Sequence, residues 1–188
     1  MTDPRPEPLA GHVVAVARDD AHRFSKPTRQ SITLIAGIGV EGDAHAGTTV
    51  QHLSRIRRDP TTPNLRQVHL IHAELFDDMA ARGHEVHAGA LGENVTTAGI
   101  DLLGLSRGTR LALGEEAVIE ITGLRNPCVQ IDGISEGLMK ELVHLDDGGA
   151  TVRLAGVMSV VLEGGVVRPG DGIRVIPPAG RPEPLQPV

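Results

Sequence analysis

Residues 109–122 read Thr109-Arg-Leu-Ala-Leu-Gly-Glu-Glu-Ala-Val-Ile-Glu-Ile-Thr122. Two short runs rich in apolar and β-branched residues flank a Gly-Glu-Glu step, and this pattern predicts a β-hairpin. The same texture extends in both directions. Residues 12–17, 31–35 and 65–71 each read as a strand. Residues 157–162, the step Glu163-Gly-Gly165 and then Val166-Val167 predict a second hairpin. Arg168-Pro-Gly-Asp-Gly172 is a turn sequence, and residues 173–176 close the set. Only two windows read as helix. In residues 73–82, Leu75, Phe76, Met79 and Ala80 share one face and Gly83 terminates it. A shorter one spans 135–144, with Ser135 as its cap. Many short strands between Gly-rich turns predict a mainly β domain, a barrel or sandwich with a few short peripheral helices. A doubly wound α/β fold is not expected, because strands and helices do not alternate regularly.

Composition narrows the class. A chain of 188 residues is one domain's worth. It has 23 glycines and 13 prolines, which favours turns and strands over a helical bundle. It has one cysteine, so no intrachain disulfide can form. The net charge of −6 and the near absence of aromatics, Phe24 and Phe76 alone, argue against a nucleic-acid partner. No apolar run approaches the roughly 18 residues of a membrane span. The polar, Pro-rich start lacks the apolar core of a signal peptide, and a cytoplasmic protein without a membrane partner is expected. Residues 1–10 and 177–188 read as flexible Pro-rich ends around a domain at 11–176. Five prolines among the last twelve residues are not expected to pair as a strand. Residues 48–63, with Arg55, Arg57 and Arg58, read as a long exposed loop.

Several clusters could carry chemistry. Cys128 follows a strand and Pro127, and Arg125 lies three residues before it. A cation near a thiol favours the reactive thiolate, while a lone cysteine is otherwise a packing residue. Gly39-Val-Glu-Gly-Asp-Ala-His-Ala-Gly47 holds Asp43 and His45, two apart, as an acid/base or metal pair or as a tight turn. Gly89-Ala-Leu-Gly-Glu-Asn-Val95 offers Gly92 for close backbone approach, with Glu93 and Asn94 as hydrogen-bonding side chains. Phe24-Ser-Lys-Pro-Thr28 places Ser25, Lys26 and Thr28 together, a set suited to a phosphate or carboxylate. His69-Leu-Ile-His72 is read as structural. Its two rings fall on opposite faces of a strand, and no second ligand pair follows at zinc spacing.

In order, these segments resemble the MOSC domain, the family named after the C-terminal region of molybdenum cofactor sulfurase. The resemblance runs through Gly39–Asp43 with His45, Gly92-Glu-Asn94, Gly108-Thr-Arg-Leu111, Arg125-Asn-Pro-Cys128, Gly156-Val-Met158 and Val167-Arg-Pro-Gly-Asp171. It implies a β-barrel that binds molybdenum cofactor, a molybdopterin, with Cys128 as metal ligand or as a persulfide carrier. It also implies reduction of N-hydroxylated small molecules such as hydroxylaminopurine. The expected site has Cys128, Asp43 and His45 as catalytic residues. Cys128, Arg125, Lys26, Ser25, Thr28, Gly92, Glu93 and Asn94 are expected to bind the cofactor. Electrons would come from a separate donor protein, and the chain would be a monomer or homodimer. Two other readings stand beside the reductase: a sulfur carrier without redox turnover, and a hydrolase or other metal enzyme built on Asp43, His45 and Glu93.

Overall fold

The computed structural model describes residues 10–51 and 56–188. The proline-rich start, apart from Ala10, and Arg55 of the 48–63 loop lie outside the described residues. Seven strands close a barrel: β1 (Gly11–Ala17), β5 (Val68–His72), β6 (Val95–Ala98), β7 (Arg110–Leu113), β8 (Ala117–Leu124), β11 (Val157–Glu163) and β13 (Gly172–Ile176). The order is β13-β7-β8-β11-β5-β6-β1, and β1 returns to β13 through Gly11↔Ile173 and His12↔Gly172. β2 (Thr28–Arg29) extends β1. β3 (Ile32–Ile35), β4 (Gly39–Val40) and β12 (Gly165–Val167) form a side sheet, and β9 (Val143–Leu145) and β10 (Thr151–Arg153) a small hairpin. The fold is thus mainly β, as its composition and alternation predict. Among the described residues the α-helices are α1 (Glu74–Ala81) and α2 (Leu138–Leu142).

The predicted hairpin at 109–122 forms. Leu113 pairs with Ala117 across Gly114, which adopts φ +65. Along β8 alternate residues Ala117, Ile119 and Ile121 are buried, and they point into the barrel core with Val13, Leu70, Leu111, Val157 and Ile173.

The second predicted hairpin does not form. β12 leaves β11 and pairs with β3 through Gly165↔Leu34 and Val167↔Ile32. Gly164 and Gly165 permit this, because a Cβ on either would lie under 3.0 Å from backbone of Leu34 or Ala117. The tail also departs from expectation. The Leu124 N–H donates to the Gln186 carbonyl at 2.8 Å, the Val188 N–H donates back to Leu124 at 3.2 Å, and Leu185 is buried. Proline removes donors but leaves acceptors, so Glu183, Gln186 and Val188, interleaved with the prolines, make the bonds.

One pair of neighbours in the barrel is parallel, β5 with β6, and α1 makes the crossover that parallel pairing requires. This crossover creates the second core. Val68 and Leu70 of β5 face into the barrel, while Ile71 packs outward against Leu75, Met79, Leu91, Ile131, Leu138 and Leu142. Both faces of β5 are therefore covered, and Val68 through Ile71 are all buried. His69 lies on the same outward face as Ile71, two residues along.

Gly156, just before β11, sits at φ +85, and a Cβ there would collide with the Leu70 carbonyl. Gly156→Ala is expected to cost about 3 kcal/mol through left-handed backbone strain plus overpacking. At this chain length that is a drop of roughly 6–12 °C in Tm by calorimetry. A Tm within 2 °C of wild type, about the shift that 1 kcal/mol gives, would contradict the packing described.

Candidate functional site

A cavity of about 420 Å³ opens on the outer face of β5, beneath the loops that precede β2, β6 and the 3-10 helix Val129–Gly133. Its wall brings together the expected Lys26, His45, Gly92, Asn94, Arg125 and Cys128. The four loops singled out in the sequence thus meet at one place. Asp43 and Glu93 lie behind the wall, and Ser25 and Thr28 do not line it. The Ser25 hydroxyl donates to the Ala90 carbonyl at 2.8 Å and so fastens two loops to each other. Thr28 is exposed on β2.

Asp43 is the hub of the floor. One carboxylate oxygen meets the Lys26 ammonium at 2.7 Å and the Asn94 amide at 3.0 Å, and accepts the Asp19 N–H at 3.3 Å. The other accepts the His45 N–H at 2.9 Å and faces His45 Nδ1 at 3.3 Å. Burial opposes the charge, but the His45 bond and the Lys26 ammonium outweigh it and hold this carboxyl well below the usual range. Burial in turn pulls the Lys26 pKa down while Asp43 opposes the fall. The contact is an ion pair. With its lone pairs occupied, Asp43 positions Lys26, Asn94 and His45, and is not poised to move protons itself.

Glu93 faces the opposite way from Asn94, as neighbours on extended backbone do. It is fully buried, accepts the Gly89 N–H at 2.6 Å, and its pKa is raised by burial. It ties the 89–96 turn and does not reach the cavity. Asn94 clips β5 instead: its side-chain oxygen accepts the His69 N–H, and its own N–H donates to the His69 carbonyl at 2.8 Å.

Arg125 carries the unusual electrostatics. It is 8% exposed, and its N–H donates to the Gly156 carbonyl at 3.0 Å. The guanidinium lies 5.4 Å from the centroid of the Phe24 ring, a cation–π contact. Among the described residues it has no carboxylate within ion-pair distance, and its Nη1 is buried without a hydrogen-bond partner. Burial lowers its pKa, and only the distant attraction of Cys128 and Glu93 opposes that. Among the described residues none that lines the cavity is acidic, while Arg23, Lys26, Arg66 and Arg125 all do. On a chain of net charge −6 this is a local inversion of sign. Cys128 is partly exposed, extended at φ −130, and its thiol lies 3.5 Å from the Gln130 amide oxygen.

Of the wall residues that matter to this chemistry, the sequence assigned no role to His22, Phe24 and Arg66, and His69 read as structural. His22 and His45 set their rings 5.4 Å apart. Phe24 had no local signal as an arginine platform, since Arg125 is distant in sequence. For His69 a signal did exist: a polar residue on the outer face of a strand otherwise buried on both sides.

No curated protein matches the sequence significantly. Among solved structures, the YuaD protein of Bacillus subtilis superposes with a TM-score of 0.70 at 22% identity, covering 88% of this chain and 94% of that one. YiiM from Escherichia coli gives 0.63 at 18% identity, covering 94% and 74%. YiiM from Geobacillus stearothermophilus gives 0.56 at 18% identity, covering 89% and 74%. These likenesses show a shared fold. The family model described as the MOSC domain matches residues 43–174, from the hub carboxylate through Cys128 and into the last barrel strand, and with that match over most of its length the chain belongs to the MOSC domain family.

Proposed function

We propose that this protein binds molybdenum cofactor in the β5 cavity through Cys128, and reduces N-hydroxylated small molecules with electrons from a separate donor protein. The MOSC family is associated with this cofactor. The observation that carries the reading is the buried, unpaired Arg125 sharing one cavity with the chain's only thiol. A buried guanidinium without a carboxylate calls for an anionic ligand, which the phosphate-bearing pterin is. A thiolate is a soft ligand suited to molybdenum. The cavity volume of about 420 Å³ is ordinary for a small-molecule site.

Bound there, the cofactor supplies the two-electron chemistry of N–O bond cleavage. The chain's own groups do the rest. Arg125 neutralises negative charge and is held in place by the Phe24 face and the Gly156 carbonyl. Lys26, its charge met by Asp43, is a fixed ammonium donor on the wall. Cys128 supplies the protein ligand from a loop that Pro127 keeps out of the sheet. His22 and His45 stand on the wall as proton-handling groups, His45 oriented by Asp43. The lack of acidic wall residues favours neutral or anionic substrates.

Substitutions at three positions test this. Cys128→Ala and Cys128→Ser should each lose at least nine-tenths of the bound molybdenum, measured by elemental analysis of protein from a host that makes the cofactor. Stability should change by no more than about 1 kcal/mol, as for a partly exposed packing residue. Full metal retention would remove the key residue from the proposal. A cyanide-labile sulfur in place of metal would favour the carrier reading.

Arg125→Met replaces an unpaired buried charge by an apolar chain of similar length. Folding stability in urea should hold or rise, while cofactor content falls. A variant that unfolds more easily and keeps its cofactor would assign Arg125 to the fold alone.

Lys26→Met leaves the Asp43 charge buried without its cation and should cost about 3 kcal/mol at pH 7. Because its pKa is depressed in the fold, Asp43 adds stability above its unfolded value of roughly 3.9, and that stability is lost as pH falls through the folded value. Without Lys26 the folded pKa rises toward the unfolded value, so less stability is left to lose on acidification: urea melts at pH 7, 5 and 3 should show a shallower acid limb, with the variant's deficit narrowing as pH falls. An unchanged limb would mean that Lys26 does not hold the carboxylate.

A further inference from the structure

His69 stands on the outer face of β5 as part of the cavity wall, 5% exposed. Its Nε2 lies 2.8 Å from the Ala155 carbonyl oxygen. A carbonyl can only accept, so Nε2 carries the hydrogen. Burial and the nearby Arg125 charge push the ring's pKa far below its ordinary value, so it stays neutral. A neutral Nε2–H ring has a lone pair at Nδ1. Among the described residues that atom has no hydrogen-bond partner.

The neighbouring amides are spent. Asn64 donates to the His45 and Gly47 carbonyls and accepts the Arg66 N–H. Asn94 donates to Ala17 and Asp43 and accepts from His69. Among the described residues the inner wall therefore keeps two polar groups in hand: the Arg125 guanidinium, which only donates and whose charge is felt by the ring, and His69 Nδ1, which only accepts. A lone pair repels an anion, so the part of a ligand that meets His69 must bring a hydrogen.

We infer that His69 Nδ1 accepts the O–H of the N-hydroxyl group of the substrate, holding it beside Arg125, and that the site thereby selects N–OH compounds over their O-alkyl ethers. The inference rests on the reading proposed above. It makes His69 a binding and specificity residue; no bond is made or broken at it.

The test measures dissociation constants by calorimetry on the full chain from a host that makes the cofactor. The probes are 6-hydroxylaminopurine and its O-methyl ether, and the proteins are wild type, His69→Gln and His69→Phe. Phenylalanine removes the acceptor; glutamine keeps a donor for the Ala155 carbonyl and offers its amide oxygen as a substitute acceptor, so it guards against a variant that merely fails to fold. Wild type should prefer the hydroxylated probe. His69→Phe should narrow that preference roughly three- to tenfold, the worth of one neutral hydrogen bond, and His69→Gln should narrow it less. The bulk of the methyl group is common to all three proteins and cancels in the comparison. Nitrogen NMR of the wild-type ring should show the neutral Nε2–H form between pH 6 and 8.

An unchanged preference in His69→Phe, no binding of either probe, or an Nδ1–H or protonated ring would overturn the inference. So would a His69→Gln protein that loses molybdenum while its preference stays the same, since that would set the acceptor against the cofactor. Failure of the broader reading has a different signature: a wild type without molybdenum. The binding ratio needs no turnover and is read separately.

Discussion

The carboxylate of Asp43 binds together segments that are far apart in the chain. Lys26 precedes it by seventeen residues, and Asn94 follows it by fifty-one. Both reach the same oxygen, and Asp19 adds a backbone N–H from the end of β1. The loops leaving β1, β4 and the α1 crossover are thereby fixed relative to one another and to β5. None of them carries a regular element long enough to do this alone. A buried charge with four donors is stable only in this arrangement, so the arrangement is specified sharply. The cavity is the space that these fixed loops leave over the outer face of β5.

Around that hub the charges divide into two kinds. Lys26 and Arg23 are paired, Lys26 with Asp43 and Arg23 with Asp19, whose pKa falls to about 2 through the Arg23 bond. These pairs build the wall. Among the described residues Arg125 has no such partner. Its desolvation is offset in part by the Phe24 face, and the remainder stands as an affinity for negative charge. The Asn64 and Asn94 amides nearby are committed to the loops, whereas His69 Nδ1 has no partner among the described residues. The site is therefore rigid where it touches protein and unsatisfied where it faces a ligand, which is the condition for binding without reorganisation.

The barrel was legible in the chain because period-two alternation, as in Ala117–Leu124, reports one buried face directly. The turn at Gly114 was legible because only a few residues take its backbone conformation easily. Partner choice was not legible. Val166 and Val167 have strand character, yet nothing local says that β3 rather than β11 receives them. The proline-rich tail misled in the same way, since its bonding is decided by acceptors and by an apolar seat for Leu185 on the barrel. In the site, residue type located the loops, and pairing decided the roles. Glu93 and Asn94 are adjacent and point oppositely, so one became a floor tie and the other a clip on β5. Asp43 read as a catalytic residue and Lys26 as a cofactor-binding one, and together they neutralise each other. His69 read as structural because a single ring on a strand gives no sign of which of its nitrogens is committed.

The central claim is that the Cys128 thiolate completes a molybdenum site in this cavity. X-ray absorption at the molybdenum edge on the purified full chain tests it most directly. Cys128 would hold the metal through its sulfur, so wild type should show one more sulfur scatterer per molybdenum than a Cys128→Ala protein reloaded with excess cofactor. The same sulfur count in both proteins would rule the Cys128 ligand out.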